Sequence, residues 1–255
     1  MSSTTIFILI IAGILALLII GYINHSLERS KLERARRKAD LADRCRRCAN
    51  LSTGLPSQLM TADLKQLLSR LELHYTEQLQ AFDRNDSQLK QRAAELRQML
   101  EQGAEIPLDN LPVKISTDQQ AKEVRFQLEG LQAQIVRATE DKILTVAVGK
   151  QWLDHLKHLL VTLYIEYFTT VGQQFLTQNR PAQARLAYER AVQYLKKQAD
   201  RTLYKTALEQ FTAQLENARV LEAEQAEKKA EAITELTSGL ESQAEEDWKK
   251  KQIYD

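Results

Sequence analysis

The sequence is poor in the residues that interrupt helices: 255 residues carry only four prolines and eight glycines. That scarcity excludes a turn-rich sandwich or barrel. Two cysteines exclude a disulfide-stapled scaffold. Alternating runs of β-branched residues are also missing. The dominant residues are Ala, Leu, Glu, Gln, Lys and Arg, the better helix formers. The fold class expected is all-α: an N-terminal transmembrane helix, a coiled-coil helical hairpin and a helical bundle.

Charge is absent from one stretch. Thr5 to Ile23, TIFILIIAGILALLIIGYI, is nineteen residues without a charged side chain. About 20 apolar residues span a ~30 Å hydrocarbon core. MSSTT before it is uncharged, and Tyr22-Ile23-Asn24-His25 makes a poor leader cleavage site, so an uncleaved anchor at 1–23 is expected. Cations follow at once: Arg29, Lys31, Arg34, Arg36, Arg37, Lys38, Arg44, Arg46 and Arg47, against Glu28, Glu33, Asp40 and Asp43. The positive-inside rule then places the C-terminal bulk in the cytoplasm of a cell with a single-pass inner-membrane topology, which suits a bacterial protein. Residues 24–60 read as a basic juxtamembrane helix and linker. Arg34, Arg36, Arg37 and Lys38 are expected over anionic headgroups. No aromatics interleave them, so a nucleic-acid partner is not expected. Ala12 and Ala16, four apart beside Gly13, offer a small-residue face for pairing with another span.

Cys45 and Cys48 have the spacing of half a zinc site. The other half is missing from one chain, although a homodimer could supply it. Unremarkable helix-end thiols are the simpler reading, and no metal or cofactor is expected. The pair His155 and His158, beside Asp154, likewise has no predictable full ligand set in the sequence and reads as structural or solvated.

Gly54 and Pro56 break the first helix. Thr61 is a suitable N-cap for a helix whose apolar positions run Leu64, Leu68, Leu71, Tyr75, Leu79, Phe82, Leu89, Ala93, Leu96 and Leu100, with Asp86 in one vacant slot. Gly103 ends it, Pro107 and Pro112 mark the connection, and Ser116 or Thr117 caps a second helix through Val124, Leu128, Leu131, Ile135 and Ala138 to about Val148. The expectation for 61–149 is a long antiparallel hairpin, a spacer or a dimerisation seam.

The segment 150–236 is richer in aromatics. Trp152 through Phe175 cover more than one stripe, as a central helix would. A further helix from about Asp200 to Ala232 presents Leu203, Tyr204, Leu208, Phe211, Leu215 and Ala218. Within this part, Phe168-x2-Val171-Gly172-x2-Phe175 is followed by Ala184-x3-Tyr188-x2-Ala191, with Pro181 opening the second helix. Residues 165–198 resemble one tetratricopeptide repeat in these spacings. The resemblance implies two helices crossing closely at Gly172, Ala184 and Ala191, with Phe168, Val171, Phe175 and Tyr188 around the contact, and a protein partner. Lys196 replaces the closing proline of the repeat.

Thr237-Ser238-Gly239 reads as a helix end, leaving 237–255 as a flexible charged tail. Trp248, Lys249, Lys250, Lys251 and Tyr254 there are candidates for docking a partner. No P-loop, nucleophile elbow, zinc-protease helix or dinucleotide fingerprint occurs. The expected role is therefore non-enzymatic: an anchored adaptor or scaffold. A self-assembling coiled-coil protein, or a periplasmic assembly factor under inverted topology, are the alternatives.

Overall fold

The computed structural model describes residues 3–200 and 202–251, with side chains described for 21–200, 202–231 and 233–234. Among these residues all regular structure is helical. The order is α1 (Ser3–Gly54), α2 (Ala62–Phe82), α3 (Ser87–Glu101), a 310 turn (Gly103–Glu105), α4 (Asp118–Glu140), α5 (Val146–Thr177), α6 (Pro181–Lys196) and α7 (Lys205–Lys251). Two compact units result, one from residues 1–112 and 129–152, the other from 113–128 and 153–255.

The basic segment does continue the first helix, as α1 runs unbroken to Gly54. Among the described residues, no helix is long and apolar enough to cross a membrane. The run Thr5–Ile23 lies, up to residue 20, outside the residues whose side chains are described.

In the first unit α2 packs along α1 and against α3. The Thr61 hydroxyl accepts a hydrogen bond from Leu64 N at 3.2 Å, as an N-cap should. The continuous helix expected over 61–100 is instead two helices. Asp86 does not fill a core slot: its carboxylate accepts from Gln88 N and Leu89 N at 2.9 and 3.2 Å, and so starts α3. A carboxylate gains more by capping free amides than by entering an apolar seam. The long two-helix hairpin expected for 61–149 is therefore not what forms. At the other end, α4 stops at Glu140 rather than near Val148. Lys142 adopts φ 60°, and Ile143 N and Leu144 N both donate to Ala138 O. Thr117 caps α4 reciprocally, accepting from Gln120 N while Gln120 Oε1 accepts from Thr117 N.

Leu51 and Ser52 in the last turn of α1 are buried, and the carbonyls there need donors. Lys65 Nζ reaches Ser52 O at 3.0 Å, and Asn110 Nδ2 reaches Ser52 O and Leu55 O at 3.0 and 2.8 Å. Burial lowers the Lys65 pKa, an effect that the nearby Asp109 opposes. Leu51, Leu55, Leu59, Leu64 and Leu68 are all buried.

In the second unit, α6 packs against α7. Its core holds Val161, Ala184, Tyr188, Ala191, Leu195, Phe211, Leu215 and Ala218, with Phe168 and Phe175 partly buried against them. The helix break expected at Thr237-Ser238-Gly239 is absent, since the α7 backbone runs on to Lys251. One interior glycine costs only ~1 kcal/mol and does not by itself end a helix.

Removing the Asn110 side chain takes the donor from Leu55 O and leaves Ser52 O to Lys65 Nζ alone. Asn110→Ala is expected to lower stability by about 2 kcal/mol in denaturant unfolding; a change inside experimental error would show that these carbonyls find other donors.

Candidate functional site

The α5–α6 corner is where the sequence concentrated its close-packing residues, and the geometry brings them together. Asn179 takes φ 57°, Arg180 N donates to Phe175 O at 2.9 Å, and Pro181 stands in the first turn of α6. Proline suits that position because its missing N–H would be unpaired there anyway. A Cβ on Gly172 would lie 2.3 Å from Tyr188 Cε1. The glycine is thus the seat for the Tyr188 ring, and Tyr188 in turn leans on Phe211 at 6.1 Å between centroids. Ala184 and Ala191 are fully buried, while Phe168, Val171 and Phe175 are partly so. Burial pushes the Tyr188 phenol pKa up.

Ion pairs fasten α6 to α7. Arg185 reaches Glu222 and Glu189 at 2.7 and 2.8 Å, and Arg219 reaches Glu216 and Glu189 at 2.7 and 3.5 Å. These pairs are part-exposed, so each contributes little to stability. Gln225 Nε2 donates to Asn179 O at 3.1 Å, the last described contact before an exposed length of α7 at 226–231.

A second aromatic set adjoins this core along α5. Tyr164 packs on Tyr194 at 4.8 Å and Tyr167 on Phe168 at 5.2 Å. Burial is the main cause raising both Tyr167 and Tyr194, the latter to about 12. Asp118 and Lys122 act on Tyr167, and Arg125 on Tyr194. The first turns of α4 therefore lie alongside this aromatic face, with Ala121, Val124 and Leu128 buried.

The basic segment divides into two sets. Residues 21–40 are all exposed. Arg34 nevertheless lies over the Phe82 ring at 5.8 Å, and Lys38 pairs with Asp83 at 3.3 Å, so both tie α1 to the end of α2. Arg36 and Arg37 stay exposed. Arg37 also edges a cavity of about 520 Å³ lined by Asp40, Arg44, Tyr75, Phe82 and Asp141 among others. Arg44 holds its centre, bound to Asp40 at 2.9 Å and to Asp141, and it covers the Tyr75 ring. With both acids and Arg44 engaged, the cavity's charges neutralise one another. Glu72, buried, is matched by Arg92 at 2.7 Å. The sequence reading missed these pairs because ion-pair partners 20 to 97 positions apart leave no periodic signal.

Cys45 and Cys48 do not form a site of the zinc kind within one chain. Cys45 Sγ lies 3.2 Å from Thr76 Oγ1. Cys48 is wholly buried, and burial, aided by Glu72 and Cys45, pushes its thiol up to about 12. Burial also raises Cys45. His158 Nδ1 lies 3.0 Å from Tyr204 OH and its ring stacks on that tyrosine, while Asp154 pairs with Lys157. Among the described residues no group of three or more His, Cys, Asp or Glu could hold a metal. The side chains of Trp248, Lys249, Lys250 and Lys251, and all of Tyr254, lie outside the described residues.

No protein-family model matches this chain, and no curated protein or solved structure is significantly similar to it.

The Gly172–Tyr188 contact can be measured as a pair. Gly172→Ala is expected to destabilise the second unit by about 1–3 kcal/mol through overpacking. Combined with Tyr188→Leu it should cost less than the sum of the two single changes; strict additivity would mean the residues do not touch. Cys48 supplies a pH test. Its folded pKa lies above the unfolded value of about 9, so stability drawn from the neutral thiol is present below that value and lost as pH rises toward 12. In the native protein at pH 8, alkylation of Cys48 should be about a thousandfold slower than for a free thiol; equal rates would disprove the burial.

Proposed function

We infer that the chain is a non-enzymatic helical scaffold, anchored in a membrane by residues 5–23 and holding its two helical units on the cytoplasmic face. One observation carries this reading: the uncharged run and the helix that packs into the first unit belong to one uninterrupted helix, α1. A helix that is apolar at one end and packed at the other transmits position without a hinge. The charged segment between them has the composition of a membrane-proximal stretch.

The α5–α6 pair is TPR-like in this reading. The Gly172–Tyr188 crossing and the Pro181 start support it. Since α4 lies along the aromatic face, the pair serves as a packed bundle, and a protein partner would be engaged elsewhere. The C-terminal part of α7, which includes Trp248, together with Tyr254 further along the sequence, is the remaining candidate for docking.

Alkaline carbonate extraction of membranes tests the anchor. The full chain should remain with the membrane and a chain lacking residues 5–23 should be released. Release of both would remove the anchor. Protease added to intact cells should spare residues 24–255 and digest them in inverted vesicles; the opposite pattern would favour the periplasmic alternative.

A further inference from the structure

The α2–α3 turn brings a second set of cations to the exposed part of α1. Arg34 on Phe82 and Lys38 on Asp83 fix the end of α2 at the level of residues 34–38. The chain turns there, so Arg84 in the turn and Lys90 in the first turn of α3 stand at the same end of the first unit as Lys31 and Arg37. All four are exposed, and none has an acidic partner among the described residues. The neighbouring acids are mostly taken. Glu33 pairs with Arg29, Asp40 with Arg44 and Asp83 with Lys38, while Asp86 caps α3. Glu28, and Asp86, which keeps its charge while capping α3, offset only part of this positive charge.

We propose that Lys31, Arg37, Arg84 and Lys90 form one cationic face that rests on an anionic lipid surface. This deepens the anchored reading and rests on it. Distances decide how the contact is made. Eleven residues separate Ile23 from Arg34, a rise of ~16 Å along the helix. The headgroup layer is only ~5–8 Å thick. An upright α1 would therefore hold Arg84 about one Debye length (~8 Å) beyond the headgroups. Attraction at that separation is weakened but present, and it acts only on the side of α1 where α2 ends. The consequence is a tilt of α1 toward α2, which lowers the turn onto the surface. Tilts of about 20° are ordinary for spanning helices.

The test uses the full chain in bilayers, with the photo-crosslinking residue benzoylphenylalanine at Asn85 and, as a control, at Glu101 at the far end of α3. Asn85 should give lipid adducts in bilayers containing anionic lipid, and Glu101 should not. Zwitterionic bilayers should lower the Asn85 yield severalfold. The R84E/K90E variant should lower it at least as far as the zwitterionic bilayer does. Equal yields in both lipids, or none at Asn85, would overturn the proposal. So would duplex DNA binding by the detergent-solubilised chain that R84E/K90E abolishes, if lipid composition had no effect. A carbonate wash of the same vesicles separates the two claims. A chain that washes off contradicts the anchor, whereas one that stays but ignores lipid charge contradicts the cationic face alone.

Discussion

The carbonyl groups that end α1 cannot be left bare inside an apolar core, and the way they are satisfied organises the first unit. Lys65 and Asn110 bring donors from α2 and from the loop after the 310 turn onto Ser52 O and Leu55 O. That closure lets the chain reverse at residues 55–61 while Leu55 and Leu59 remain buried. The helix α2 then lies along α1. Everything further along the contact follows: Cys45 against Thr76, Arg44 over Tyr75, and Arg34 over Phe82. A buried lysine held by neutral oxygens is costly in isolation, and it persists here because the alternative is unsatisfied backbone.

The second unit depends on steric closeness instead. With no side chain at Gly172, the Tyr188 ring can lie against the α5 backbone, and Tyr188 in turn supports Phe211. Small residues at Ala184, Ala187 and Ala191 keep that side of α6 narrow, and all three are buried. The ion pairs between α6 and α7 add little energy beside the apolar core that these helices share.

Local signals were the readable ones. Thr61, Thr117 and Pro181 mark helix starts because caps act within one turn of chain, and the Gly172 crossing was visible because its partners repeat at fixed offsets. The α2–α3 break was misread, since Asp86 falls on the heptad grid of a continuous helix and only its capping bonds reveal the turn. The α4–α5 break has no glycine or proline to announce it and is made by Lys142 in the left-handed region. The same limit hid the cationic face. Arg84 and Lys90 look like ordinary surface charges until Lys38 and Asp83, 45 positions apart, set them beside α1.

Hydrogen exchange along α1 in the full chain, reconstituted in bilayers, tests the central claim most directly. The account predicts two protected blocks, one over residues 5–23 shielded by lipid and one over residues 41–54 shielded by packing, separated by a faster collar at 24–33. Exchange over 5–23 as fast as in the collar would contradict it.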